Sequence, residues 1–380
     1  MNEPPAGLYL HVPFCSQVCP YCDFAVRTGD AARRRRFVDH LLQEIELYAG
    51  YPLEFDTIYF GGGTPSSLEP ADLERIIGAV RRRLNVPDSC RIFLEANPED
   101  ADAARLADWK RLGVETLSLG VQSFDAASLK FLGRRHDPQR ARQSVEQARQ
   151  AGFATVAIDL IYGLPGQSAA DWRQQLEAAL EIGVDHLSCY QLTIHERTRF
   201  GLLAKRGKLV QLPQDSQAEL FHLTHRFLAD AGMQGYEVSQ FAAAPEHRSR
   251  HNLKYWSHTP YLGLGPSAHS YEGDRRWWNL RRTDDYQDCV RDGRRPVEEE
   301  ESLDARALVL EALMTGLRTY AGVDLRVVEQ RWGIDLLSRN RSLVERLVSG
   351  GFAEFDGTRL APTLDGLAIA DSLAPRFDLG

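Results

Sequence analysis

The 380-residue chain is 43% hydrophobic and 26% charged, enough to bury one large core and a smaller second one. Its net charge of -8 and pI near 5.8 argue against a broad electrostatic grip on nucleic acid, which needs clustered Lys and Arg to displace counterions. No apolar run reaches the length needed to cross a bilayer and no charged-then-apolar leader follows Met1, so the expected compartment is reducing and cytoplasmic.

A β-rich run at Leu8–Val12 opens the chain, followed by a loop with three cysteines and a helical period over Phe37–Tyr48. Strands at Thr57–Phe60, Arg91–Glu95 and Thr116–Leu119 are each followed by a helix, over Leu73–Leu84, Ala101–Leu112 and Gln139–Gly152. A strand at Val156–Ile161, a helix over Trp172–Ile182 and a sixth strand at His186–Leu192 complete the series. Repeated βα units with near-continuous apolar strands predict an α/β fold, a partial (βα)6 barrel rather than a closed eight-stranded one. The Arg33–Arg36 run opens the first helix and reads as a solvated face.

The acidic run Glu298–Glu301 reads as a solvated linker, dividing the chain into a barrel at 1–240, a segment packed on it at 241–297 and a C-terminal domain at 298–380. In that last unit Leu303–Leu317, Leu325–Trp332 and Leu343–Val348 read as helices, and Phe352–Ala361 as a hairpin turning at Asp356-Gly357. This order suggests a small α+β, winged-helix-like domain. From Glu300 on, 13 acidic residues stand against 9 basic ones, which disfavours DNA phosphate and favours a lid or a protein-docking surface.

Chemistry in such barrels gathers at the carboxyl ends of the strands. There the first strand leads to Cys15, Cys19 and Cys22, and the second to Gly61, Gly62, Gly63 and Thr64. The third carries Glu95, the fourth Gln122, and the fifth Asp159 and Tyr162. Each alone is as well explained by a tight turn or a helix cap. Their convergence on one rim beside a cysteine loop points to a shared site. The C-x3-C-x2-C spacing suits a 4Fe-4S cluster, in which three thiolates leave one iron open to a ligand. A zinc site completed by His11 is the alternative, although the chain contains no second C-x2-C pair. Cys90, Cys189 and Cys289 stand singly and read as small buried hydrophobes.

The cysteine motif resembles that of the radical S-adenosylmethionine superfamily. YLHVPFC, GGGTPS, LEANPE, SLGVQSF, LGRRH and IDLIYGLPGQ, within Tyr9 to Tyr271, resemble its coproporphyrinogen dehydrogenase-like branch. The true dehydrogenase has a Cys two residues beyond the third ligand and a long N-terminal extension, whereas this chain has Phe24 there and little extension. HNLKYW, from His251 to Trp256, matches the HNxxYW signature of the HemW family of heme chaperones.

The resemblance implies a cluster on Cys15, Cys19 and Cys22, with S-adenosylmethionine at the open iron. It places Tyr9 along that cofactor, Gly61 to Thr64 at its methionyl amine, Glu95, Asp159 and Gln122 around its ribose, and Arg134 or the adjacent Arg135 on a carboxylate. It implies heme on His251, with Tyr255 and Trp256 against the macrocycle and His11, His258 and His269 as rival ligands. The implied function is binding heme and transferring it to an acceptor protein, with an electron donor to the cluster as a further partner and a homodimer admissible. The alternative is a radical oxidase acting on coproporphyrinogen III or a related tetrapyrrole.

Overall fold

The structure, a computed structural model, describes residues 4–380. Six strands run parallel in chain order: β1 (Ala6–Val12), β2 (Phe55–Gly62), β3 (Arg91–Ala96), β4 (Val114–Gln122), β5 (Thr155–Tyr162) and β6 (His186–Gln191). Between them lie α1 (Ala31–Leu47), α2 (Pro70–Arg83), α3 (Ala103–Arg111), α4 (Pro138–Gln150) and α5 (Ala169–Glu181). Side-chain caps start most of these helices. Asp30, Asp102 and Asp137 each accept from a backbone N–H three residues on, and Ser168 and Asp171 form a reciprocal capping box.

Along β1, Leu8, Leu10 and Val12 are fully buried. They pack in one core with Phe37, Leu41 and Ile45 of α1. The alternate positions line the barrel interior, where Tyr9, Tyr59 and Phe93 stack across β1, β2 and β3 at centroid separations of 6.1 and 5.8 Å.

After β6 the chain forms α6 (Gln214–Asp230) and an antiparallel strand β7 (Gln240–Ala242) on the edge of β6. The helix α7 (Arg250–Trp256) and strand β8 (Tyr261–Leu264) follow. β8 pairs parallel with β1 on its other side, so seven adjacent strands are parallel rather than six. From β8 the sheet continues antiparallel through β9 (His269–Glu272) and β10 (Arg275–Asn279). The segment after the barrel therefore widens its sheet as well as packing on it. Helix α8 (Thr283–Arg291) then leads to β11 (Val297–Ser302), which pairs with β10.

The acidic run expected as a linker is this β11 edge strand. Its side chains are solvated, as expected, but Arg275 and Arg276 opposite them form ion pairs with Glu300 and Glu301. That cross-strand complementarity allows four successive glutamates to hold a strand. Glu44 of α1 ties this extension to the barrel core. Its fully buried carboxylate accepts from Gly265 N at 2.7 Å, Asn279 Nδ2 at 2.7 Å and the Tyr286 hydroxyl at 2.6 Å.

The C-terminal unit has its own core, around Leu313, Leu336, Leu347 and Leu360. Helices α9 (Ala305–Gly316), α10 (Leu325–Trp332) and α11 (Leu336–Ser349) pack with a three-stranded sheet of β12 (Val323–Asp324), β13 (Ala353–Phe355) and β14 (Arg359–Pro362). It docks on α6 through His222–Asp365 at 2.8 Å and His225–Tyr320 at 3.0 Å. A second tether joins Glu311 to His258 and Arg276. Among the described residues no helix is long and apolar enough to cross a membrane.

Candidate functional site: a cysteine-lined cavity at the barrel mouth

The cysteine loop is clamped at its base. Phe14 and Cys15 pair in parallel with Arg27 and Thr28, and Phe14 packs edge-on against Phe37 of α1 at 5.5 Å. The glycine turn after β2 closes onto the same point, with Gly63 N donating to Val12 O and Thr64 N to Phe14 O, both at 2.7 Å. A Cβ on Gly63 would lie 2.7 Å from the Phe14 carbonyl oxygen, so only glycine allows this approach.

Cys15, Cys19 and Cys22 line one cavity of about 400 Å³. Thr64 Oγ1 and an Arg134 guanidinium nitrogen each lie 3.5 Å from a sulfur, those of Cys15 and Cys19 respectively. Burial pushes the Cys15 thiol up to about 11 against the Thr64 hydrogen bond, so metal must displace its proton on binding. Among the described residues no three His, Cys, Asp or Glu side chains gather to hold a single metal ion. A cubane asks for a different arrangement, one thiolate at each of three separate irons. His11, the candidate fourth zinc ligand, has its ring nitrogens 3.2 Å from the Tyr9 hydroxyl and 3.1 Å from the Ala25 carbonyl oxygen. Both lone positions are thus engaged within the protein.

Glu95 and Asp159 line the same cavity. Burial, opposed by the Tyr59 hydrogen bond and reinforced by Asp159, raises Glu95 to about 7. Burial also raises Asp159 to about 6, against hydrogen bonds from Ser188 and Ser118. Two desolvated carboxyls sharing a cavity favour a cationic ligand, which restores their ionised forms. S-adenosylmethionine carries such charge on its sulfonium and ammonium groups.

Arg134 supplies the opposite charge. It donates to Asn97 Oδ1 at 2.5 Å and Gly120 O at 2.9 Å, while its buried Nε has no partner among the described residues. Arg135 is exposed, so Arg134 is the arginine that reaches the cavity. Gln122 also lines it, at the end of a β4 bulge and with φ 68°, a left-handed backbone unusual for a residue other than glycine. Tyr9 stands in an adjoining cavity with His11 and Tyr255. Asn97 was not singled out in the sequence; by accepting from Arg134 and donating to Thr64 Oγ1 at 3.3 Å it joins two of the cavity's walls. Its signal was its place directly after β3, beside the more conspicuous Glu95.

The HNLKYW segment lies at the other end of the barrel. Helix α7 plugs the floor, with His251 1% exposed and stacked on Tyr59 at 5.0 Å. Its Nδ1 is 2.9 Å from Thr57 Oγ1 and its Nε2 2.9 Å from the Tyr255 hydroxyl. Burial lowers its pKa to about 3. Both ring nitrogens of His251 thus face hydroxyl groups within the protein, and core packing surrounds the ring. Tyr255 stands edge-on to His251 at 5.2 Å, and Trp256 is half-buried on the same helix. The C-terminal domain is not a lid over the cluster cavity, every lining residue of which lies between Cys15 and His195.

Residues 9–179 match the model of the radical SAM superfamily, and residues 303–369 that of the HemN C-terminal domain. The chain is 33% identical to heme chaperone HemW of Bacillus subtilis, over 97% of this chain and 98% of that one. It is 35% identical to heme chaperone HemW of Mycobacterium tuberculosis, over 98% and 95% respectively. The chain belongs to the HemW family. Its fold superposes on coproporphyrinogen III oxidase (HemN) from Escherichia coli with TM-score 0.84 at 23% identity, covering 98% of this chain and 90% of that one.

Membership of the radical SAM superfamily implies a 4Fe-4S cluster and S-adenosylmethionine, and the cavity of this HemW-family chain fits both. Its three cysteines would hold the cluster, and its two buried carboxyls would face the cation. When bound, the pair supplies one-electron reductive chemistry. Gly61 to Thr64 shape the wall beside Cys15, Arg134 places positive charge beside Cys19, and Phe24 stands at the lip where the dehydrogenase motif has a further thiol.

Proposed function

We propose that this chain binds heme and passes it to an acceptor protein, with the cluster and exchangeable S-adenosylmethionine conditioning the transfer. The observation that carries this reading is the full-length similarity to proteins named heme chaperones, spanning the barrel, the HNLKYW helix and the C-terminal domain alike. Phe24 at the lip of the cysteine cavity supports it over porphyrinogen oxidation, since it replaces a sulfur with an exposed aromatic ring. The proposed setting is the cytoplasm. An acceptor protein, an electron donor to the cluster and a second copy of the chain are the proposed partners, and Tyr9, Gly61, Gly62, Gly63, Thr64, Glu95, Gln122, Arg134 and Asp159 the proposed S-adenosylmethionine contacts.

Hemin titration of anaerobically reconstituted protein, followed by the Soret band, tests this reading. It expects saturable binding at a fixed stoichiometry per chain. A linear, unsaturating response like that of a non-binding protein would contradict it.

A further inference from the structure

Below the cluster cavity the barrel interior holds a smaller chamber of about 50 Å³, and Glu95, Ser118, Asp159 and Tyr190 line both. The two carboxyls therefore stand in the wall between cavity and chamber. At its lower end the chamber is bounded by His247, Ser249 and Asn252, at and just before the start of α7, and His247 and Asn252 are only half-buried. The chamber thus runs from the carboxyls to a point within reach of solvent.

Strand periodicity makes this interior polar. Inward positions carry Ser118 on β4, Asp159 on β5, and His186 and Ser188 on β6. Ala157, opposite His186 in the parallel ladder, leaves the space beside that ring open.

His186 is 4% exposed, and its Nδ1 has no partner among the described residues. Its Nε2 lies 2.8 Å from the Tyr236 hydroxyl. That hydroxyl donates its one hydrogen to Gln240 Oε1 and accepts from Ser249 N at 3.1 Å. Nε2 then carries the imidazole hydrogen, which leaves Nδ1 as an unprotonated acceptor. Burial lowers the pKa of this ring to about 4, in keeping with a neutral imidazole. A buried acceptor left unpaired is costly, and ordered water is the usual remedy where the site is polar and roomy enough. At roughly 10–15 Å³ of such volume per water, the chamber admits about three molecules.

We propose that this chamber holds a short chain of water anchored on His186 Nδ1, and that Glu95 and Asp159 exchange protons with solvent through it while the cluster cavity is occupied. This rests on the reading of the cluster cavity as the S-adenosylmethionine site. A cation there covers the upper side of both carboxyls and drives them to their ionised forms. The proton leaving a carboxyl oxygen passes to the adjacent water, each water hands one proton on, and one proton emerges beside His247. Only the carboxyl changes charge. The titratable groups facing the chain are Tyr59, Glu95, Asp159, His186, Tyr190 and His247, with Arg134 acting on Asp159 from the cavity side. Burial raises both phenols well above their ordinary range, so they offer hydrogen bonds without ionising. Thr155 Oγ1, 2.9 Å from His247 Nδ1, holds that ring at the outlet.

The test follows S-adenosylmethionine binding to the reconstituted chain by stopped flow, in weak buffer at pH about 6, where both carboxyls are partly protonated. Cluster absorbance reports binding and a pH indicator reports proton release. In wild type the two signals should keep pace. His186→Phe fills the same space without an acceptor, and Ala157→Ile narrows the chamber without removing a side-chain hydrogen bond. Each should delay release at least about tenfold behind binding, with calorimetric affinity and the number of protons released unchanged. His186→Asn, which keeps an acceptor near Nδ1, should restore the wild-type pace. Release in step with binding in either variant, once iron content and circular dichroism show it folded, would overturn the proposal, as would wild-type binding with no proton released. Absence of S-adenosylmethionine binding in wild type would instead overturn the reading of the cluster cavity.

Discussion

Tyr59 donates its hydroxyl hydrogen to Glu95 at 2.7 Å, joining the aromatic ladder of the barrel interior to the carboxyl that faces the cysteine cavity. The ring of Tyr59 rests on His251 below, so the HNLKYW helix and the cofactor cavity meet through one side chain. The floor helix thus supports what stands above it through Tyr59.

Binding of S-adenosylmethionine should depend on pH. With Glu95 raised to about 7 and Asp159 to about 6, lowering the pH through these values protonates the carboxyls that attract the cation. Calorimetry on reconstituted protein should show affinity rising at least about tenfold between pH about 5.5 and about 8. Glu95→Gln should weaken binding and remove the inflection near neutrality. A flat profile in wild type would show that these carboxyls do not face the cation.

Replacing Cys15, Cys19 or Cys22 singly with Ala should abolish the broad cluster absorbance, whereas Cys90→Ala, Cys189→Ala and Cys289→Ala should keep about four irons per chain. Iron analysis after anaerobic reconstitution checks this. Full cluster content in any mutant of the first three would defeat the assignment.

Glu44→Ala leaves three buried donors without an acceptor and should cost on the order of 3 kcal/mol in chemical denaturation. The sign of its pH effect follows from burial, which raises the carboxyl from 4.5 to about 7 in the folded state. The native chain then holds the extra proton between these values, so this group's contribution to stability is full below the lower one and falls as pH rises through the upper. Glu44→Ala should lack that decline.

His251→Ala removes the partner of both Thr57 and the Tyr255 hydroxyl inside the barrel floor, a loss of about 2 to 4 kcal/mol. Denaturant midpoints read it directly. Unchanged stability would mean that the ring is not held as the core contacts require.

Local patterns made most of the barrel readable in the sequence. Apolar runs such as Leu8–Val12 coincide with buried strands, and the cysteine triplet is a spacing within eight residues that needs no tertiary knowledge. Tyr261–Leu264 carries little strand signal of its own, with Gly263 inside it and Gly265 directly after; its strand character comes from the parallel ladder with β1, including Tyr9 opposite Gly263. Glu298–Glu301 has no β pattern of its own and becomes a strand only beside Arg275 and Arg276. The burial of His251 was equally illegible, because a seven-residue polar-aromatic helix does not say which face meets a barrel floor. Glu44, carried on an amphipathic helix, likewise showed nothing of the partners waiting more than 200 residues away.

The most direct test of the account is heme transfer: hemin-loaded, cluster-reconstituted protein is mixed with an apo heme protein, and the acceptor's own Soret spectrum is followed with and without S-adenosylmethionine. The account predicts that heme leaves this chain for the acceptor faster than free hemin dissociation allows, with S-adenosylmethionine changing the rate. Heme retained by the chain, or appearing in the acceptor only at the rate of spontaneous release, would contradict it.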